Sequence, residues 1–391
     1  MKIAMLVENP LFYGGGEIHA YEISKNFVKY GRTVDFIQIY GLPRKRQLRP
    51  HQQLSPSRWS TPPKSRLANS IYVRMVWFYS FLTTPFVIMD LLRGKYDIVH
   101  VHDGGYSSLI VSAVIAKRIN HAKIFCTLHN DLARHIDRKL IRIFSRYVDC
   151  FISVSPTIQR RWRASYNSES ILIPNGVDSS RFNPNVDGSS IRKRLGIENK
   201  FVVLSLGRLS SQKGLKYLIQ AVTSLKKEIP NLTVLICGRG EEEAYLKNMV
   251  NHLKLNGIIK FLGYIPSDEL PRYYAACDVF VLSSIFETFA LTLLEALSVG
   301  KPVVCTKVGG AQELARQFEN SDFSRLVKPA DPDDLAKGIL WYFYHPKFFS
   351  ITRKEIVNEK LESYSWENIS MRINSLYEGL VQRDNRRSLG G

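Results

Sequence analysis

Cysteine is scarce and unpaired in this sequence. The five present, Cys126, Cys150, Cys237, Cys277 and Cys305, form no Cys-x-x-Cys pair and sit mostly inside apolar runs. This excludes a disulfide scaffold and a thiolate zinc site, and it suits reduced, buried thiols in a cytoplasmic protein. Long hydrophobic runs are missing too. The most apolar stretch, residues 75–89 (MVWFYSFLTTPFVIM), is interrupted by Pro85. As a helix it would reach about 22 Å against about 30 Å of bilayer hydrocarbon, so a buried helix is expected and not a membrane span. The chain opens directly on KIAMLVE, and no secretory leader is expected. The spacing Gly-x-Gly-x-x-Gly is absent after that first run and no acid closes the second, which disfavours a dinucleotide site.

Acid is in short supply. The 391 residues carry 54 Lys and Arg against 35 Asp and Glu, a net charge of +19. The deficit is lopsided: residues 1–173 hold 25 basic and 11 acidic residues, residues 174–391 hold 29 and 24. The first part is therefore expected to meet something anionic, whether a phosphate-bearing acceptor, a membrane surface or a nucleic acid. Residues 41–66 hold seven basic residues, five prolines and no acid. Such a loop cannot build a core; it is a solvated loop or a cover over an anionic acceptor. Arg134, Arg138, Arg142 and Arg146 recur every four residues, which on a helix makes one basic stripe. No nucleic-acid-binding motif accompanies this charge, so a basic nucleic-acid-binding protein is the weaker reading.

What the sequence does have is a regular alternation of short apolar runs with helical patterns. Strands are expected at Ile3–Val7, Val34–Tyr40, Ile98–Val101, Ile124–Leu128, Cys150–Val154 and Ile171–Ile173. After a break they resume at Phe201–Leu206, Leu232–Cys237, Ile258–Phe261, Val279–Leu282, Pro302–Cys305 and Arg325–Val327. The runs are continuously apolar, so both faces are buried, as in a parallel sheet flanked by helices. Two such series predict an α/β chain of two doubly wound domains, residues 1–173 and 174–364, with a closing helix and polar tail at 365–391. The Pro, Asn, Gly and Asp of residues 174–188 (PNGVDSSRFNPNVDG) read as the linker.

Several loops at strand ends could carry chemistry. Gly14, Gly15 and Gly16 open the first helix and let backbone N–H groups approach a ligand. Arg208 and Lys213, in LGRLSSQKG, flank a polar loop entering a helix and are placed to hold a diphosphate. Gly238, Gly240 and Gly263 also sit at strand ends. In SSIFETFALTLLEALSVGKPVV, Glu287 follows a strand and Glu295 lies within an oily helix, a costly position unless a partner satisfies it. A polyhydroxylated ligand and the helix dipole are expected to supply that satisfaction. His100 and His102 invite a metal reading, but no third ligand accompanies them and structural histidines are expected. DPDD (331–334) precedes a helix, so Asp331 reads as an N-cap.

Taken together, Glu287-x7-Glu295, GKPVVCTKVGG, PNGVD, GRLSSQKG and YGGGE resemble the retaining GT-B glycosyltransferases of the GT4 type, over nearly the whole chain. The resemblance implies two Rossmann-like domains facing a central cleft, an N-terminal acceptor domain and a C-terminal donor domain. It implies transfer of a sugar from a nucleotide sugar (UDP- or GDP-linked) to a glycan or lipid-linked acceptor. The nucleotide sugar is then a co-substrate, with no cofactor, no metal and no nucleic acid. An anionic membrane surface would be a further partner, with the protein peripheral on the inner face of the membrane. By the same resemblance Arg208 and Lys213 neutralise the diphosphate, Glu287 holds the transferred sugar and Glu295 the ribose. The N–H groups of Phe289, Ala290 and Leu291 meet donor oxygens, and the Gly263–Tyr264 backbone borders the base. Gly15 and Gly16 lie near the diphosphate and acceptor, and His129 faces the sugar. Similar enzymes usually read Glu-Gly-Phe-Gly where this chain has Glu287-Thr288-Phe289-Ala290, a difference that bears on donor identity. A GT-B-fold sugar-nucleotide epimerase is the nearest rival.

Overall fold

The computed structural model describes residues 1–7, 14–38, 45–47, 84–103, 110, 113–115, 117–118, 121–130, 138–319, 322–346 and 359–389. Residues 41–44 and 48–66 of the basic loop, residues 75–83 of the apolar stretch and Arg134 of the basic stripe lie outside them. By their contacts the residues fall into two units, 1–175 with 366–391, and 176–365. The helix expected to close the chain is thus part of the first unit.

In the first unit seven strands lie in the order β3-β2-β1-β4-β5-β6-β7: β1 (Lys2–Val7), β2 (Thr33–Gln38), β3 (Lys45–Gln47), β4 (Ile98–Asp103), β5 (Lys123–Leu128), β6 (Cys150–Ser153) and β7 (Ile171–Leu172). All neighbours are parallel except β3, which runs antiparallel to β2 with Phe36 opposite Arg46. β3 has no signature in the sequence, because Lys-Arg-Gln carries no apolar pattern; its pairing along the edge of β2 makes it a strand. Burial explains the rest: Ile3 to Leu6 and Ile124 to Cys126 are fully covered. The helices Gly15–Lys29 and Trp366–Leu389 are joined by Asn26 Nδ2 donating to Ser370 Oγ (3.1 Å) and by packing of Phe27 on Tyr377. Of the apolar stretch, the described end has Val87 buried while Phe86 and Met89 are exposed.

The second unit is a six-stranded parallel sheet in the order β10-β9-β8-β11-β12-β13: β8 (Phe201–Leu206), β9 (Leu232–Cys237), β10 (Ile259–Gly263), β11 (Val279–Leu282), β12 (Val303–Thr306) and β13 (Ser324–Val327). Val202 and Leu204 face one core and Val203 the other, which is why the strand reads as a continuous apolar run. In each unit the strand order reverses beside the first strand, between β1 and β4 and between β8 and β11. Parallel α/β sheets bind ligands outside the carboxyl ends of the strands at such a reversal.

Candidate active site

In the second unit the two strands at the reversal, β8 and β11, each release a loop at their carboxyl ends. The first loop, 207–214, holds Arg208 and ends in the short turn Ser211–Lys213; the second, 283–290, holds Glu287. The loops are zipped together. Ser283 Oγ donates to the Lys213 carbonyl (3.0 Å), Ile285 N to the Gln212 carbonyl (2.8 Å), and Gln212 Nε2 to the Phe286 carbonyl (2.9 Å). Gly214 makes this approach feasible. Its φ is +59°, and a Cβ there would stand 2.3 Å from the Ser283 carbonyl oxygen.

The zipper brings Lys213 Nζ to 2.5 Å from Glu287 Oε1. Ser284 Oγ donates to the same oxygen at 2.6 Å. Glu287 is 4% exposed, whereas the Lys213 side chain keeps 23% of its surface open. The Glu287 main chain is held as well: its carbonyl accepts from Gly310 N (3.1 Å). Arg208 is exposed and has no ion-pair partner among the described residues.

Ala290 caps the helix Leu291–Ser298 without a side-chain bond, so first-turn N–H groups at Leu291 and Thr292 face outward from the positive end of the helix. Ala290 has φ −99°, a conformation alanine adopts without strain, so its methyl group costs nothing in backbone geometry here. Within the helix, Glu295 Oε2 accepts a hydrogen bond from Tyr274 OH at 2.7 Å. This corrects the expectation that ligand and dipole alone satisfy Glu295; the partner is a protein hydroxyl on the helix Leu270–Ala276. Burial pushes the Glu295 carboxyl up to about 7, while the Tyr274 bond and the Arg181 charge pull the other way. Gly263, at the end of β10, has φ +69° with open space around it, and Tyr264 is 53% exposed.

In the first unit, Gly14 caps the helix that Gly15 and Gly16 begin. A Cβ on Gly16 would lie 3.1 Å from His129 Cδ2, so the sheet places these two residues side by side. His129, at the end of β5, belongs to a cluster that the sequence reading missed. His129 Nε2 is 3.2 Å from His102 Nδ1, and the His19 ring stands 5.1 Å from that of His129. His19 Nδ1 also bonds Asn175 Oδ1 at 2.7 Å. The one sequence signal for His19 is a histidine beside Ala20, Ile23 and Phe27 on the buried face of the first helix. Desolvation pushes all of them down, His19 to about 4, so the cluster is neutral at neutral pH. His100 is a structural residue, with Nε2 on Thr127 Oγ1 (2.7 Å) and Nδ1 on Tyr377 OH (2.5 Å). Asp331 caps its helix by accepting from Asp334 N (2.9 Å). No group of three or more His, Cys, Asp or Glu among the described residues could hold a metal ion. No helix there is long and apolar enough to cross a membrane.

Comparison with known proteins covers both units. Residues 13–181 match the model of Glycosyltransferase Family 4, and residues 187–360 that of Glycosyl transferases group 1. An uncharacterized glycosyltransferase of Methanocaldococcus jannaschii is 27% identical over 97% of this chain and 98% of its own. The GDP-mannose-dependent alpha-(1-6)-phosphatidylinositol monomannoside mannosyltransferase of Mycolicibacterium smegmatis is 29% identical over 74% of this chain and 79% of its own. Among solved structures, Anabaena HepE in complex with UDP superposes with a TM-score of 0.73 at 22% identity, over 97% of this chain and all of that one.

Proposed function

Because this chain belongs to the GT-B glycosyltransferases of the GT4 type, we propose that it moves a sugar from a UDP- or GDP-sugar to a hydroxyl of a glycan or lipid-linked acceptor, with retention at the anomeric carbon. The observation that carries this reading is the Lys213–Glu287 pair beside an open helix N-terminus, at the carboxyl ends of the two strands flanking the reversal of the sheet. Cation and helix end suit a diphosphate; a buried carboxylate with an accessible edge suits sugar hydroxyls.

In the reaction the bond between the anomeric carbon and the diphosphate oxygen breaks, its electron pair staying on phosphate. The acceptor oxygen forms the new bond from the same face and gives up its proton to the departing phosphate oxygen. Arg208, Lys213 and the first-turn N–H groups of the helix at Leu291 stabilise the charge that develops on the leaving group. Such stabilisation is worth roughly 3 kcal/mol per well-placed donor, about a hundredfold in rate. Glu287 orients the transferred sugar, Glu295 holds the ribose, and Gly263 and Tyr264 border the base. In the first unit Gly15, Gly16 and His129 serve the acceptor and sugar.

A UDP- or GDP-linked donor is supported by the HepE complex with UDP and by the GDP-mannose dependence named for the mycobacterial relative. The phosphatidylinositol monomannoside named for that relative and the basic first unit support an acceptor carrying phosphate or lipid, in cell-surface polysaccharide or glycolipid synthesis, at the membrane face. The test is a thermal-shift screen with UDP-, GDP- and ADP-sugars. Release of nucleoside diphosphate is then followed with membrane lipid extract as acceptor, and the product anomer is read by NMR. Stabilisation by one donor class and acceptor-dependent release are expected; no stabilisation by any donor overturns the reading.

A further inference from the structure

The Lys213–Glu287 pair holds more than a binding residue needs. Oε1 of Glu287 receives both the Lys213 ammonium at 2.5 Å and the Ser284 hydroxyl at 2.6 Å. Glu287 is nearly covered, at 4% exposure, whereas the Lys213 side chain keeps 23% of its surface open. With the charges of the pair cancelling, Arg208 is the exposed cation of the loop. A diphosphate that takes Lys213 for itself leaves Glu287 buried with Ser284 as its remaining side-chain donor among the described residues, which is costly.

We infer that Glu287 is a specificity-determining residue that occupies Lys213 and thereby favours the intact nucleotide sugar over the nucleoside diphosphate left after transfer. This rests on the donor reading proposed above. An intact donor brings sugar hydroxyls that donate to Glu287 as Lys213 turns to the phosphates, so neither charge is stranded. The leftover diphosphate brings none. Once the proton taken from the acceptor has passed on to water, it also carries more negative charge than the donor, because the electron pair of the broken bond stays on its terminal phosphate. Recapture of Lys213 by Glu287 then helps expel it. The plain alternative is a structural ion pair that merely pins the two loops. Those loops are already pinned by three hydrogen bonds independent of either charged group.

The two readings differ in sign. Calorimetry with UDP, GDP and ADP, and with the matching nucleotide sugars, is run on the wild type, Glu287→Gln, Glu287→Asp, Lys213→Met and the Glu287→Gln/Lys213→Met double variant. Thermal unfolding confirms that each is folded. Glu287→Gln should bind the preferred diphosphate about tenfold tighter than wild type while gaining nothing for the nucleotide sugar. Glu287→Asp keeps the charge but draws it back by one methylene; it should fall between and serves alone if the Gln variant does not fold. The gain should vanish in the Lys213→Met background. Unchanged or weaker diphosphate binding by the Glu287 variants overturns the inference, as does a gain that persists without Lys213. Binding of no diphosphate and no nucleotide sugar by any folded form, wild type included, overturns instead the donor reading beneath it.

Discussion

Tyr274 and Glu295, 21 residues apart on different helices, are joined by a hydrogen bond of 2.7 Å from the phenol to the carboxylate. This bond is what lets an acid sit among Leu293, Leu294, Ala296 and Leu297, all fully buried. The burial of this acid also sets a pH dependence, which the bond moderates. Burial raises the Glu295 carboxyl from 4.5 to about 7 in the folded chain. The unfolded chain therefore loses this proton first. This group's contribution to stability is greatest below pH 4.5, declines as pH rises toward 7, and is level above. Ribose hydroxyls need the ionised acceptor, so nucleotide affinity should rise as pH passes 7. Calorimetry with UDP or GDP from pH 6 to 8 checks this against Glu295→Gln, whose profile should keep only the titration of the nucleotide itself.

Tyr274→Phe removes the bond that lowers the Glu295 value. The carboxyl should then titrate above 7, and the affinity rise should shift to higher pH. The fold should lose about 1 kcal/mol for the missing hydrogen bond. Denaturant unfolding measures the stability loss and calorimetry with UDP or GDP across the pH range the affinity shift; equal nucleotide profiles for Tyr274→Phe and wild type would mean that the bond does not tune the acid.

Lys213→Ala should lower turnover roughly a hundredfold at saturating donor. Stability should also drop, by about 1–3 kcal/mol, because Glu287 is left buried without its cation. Adding Glu287→Gln should restore much of the stability and none of the rate. Melting temperatures and initial rates of the wild type and the two variants separate these effects.

Gly214→Ala should be among the most damaging single-methyl changes in the second unit. At φ +59° an L-residue is strained, and the new Cβ would meet the Ser283 carbonyl oxygen at 2.3 Å. The loops must part, and Lys213 with them. A loss of at least about 2 kcal/mol by denaturant unfolding and weaker nucleotide binding are expected together; loss of stability with unaltered binding would show that the zipper does not position Lys213.

On the first unit, Arg142 and Arg146 are exposed beside Ile143, itself 53% exposed, on and just after the helix Arg138–Ser145. Each such arginine is worth about 1 kcal/mol near an anionic bilayer. Changing both to Gln should weaken sedimentation with anionic vesicles roughly thirtyfold at low salt. Wild type should lose binding at high salt and ignore neutral vesicles. Equal binding by wild type and variant would return this face to solvent.

The sequence alone determined where the strands of the two sheets lie, the edge strand β3 excepted, and which loops leave their carboxyl ends. The inner runs, such as Ile3–Val7 and Val202–Leu204, are apolar on both faces, and burial on both faces is a local, readable consequence of a parallel sheet. Glu287, Lys213 and Gly16 could be singled out because charged and glycine residues at such strand ends are visible without knowing the strand order. Tertiary structure decided everything that depends on that order. It set Lys213 against Glu287 across 74 positions, Tyr274 against Glu295, and His19 against Asn175 across 156. It made a strand of Lys45–Gln47 by giving it the free edge of β2. It returned the helix Trp366–Leu389 to the first unit through Ser370 and Tyr377. Periodicity records which side of an element avoids water; it carries no record of which distant side chain will meet it there, because that partner is chosen by chain topology and close packing.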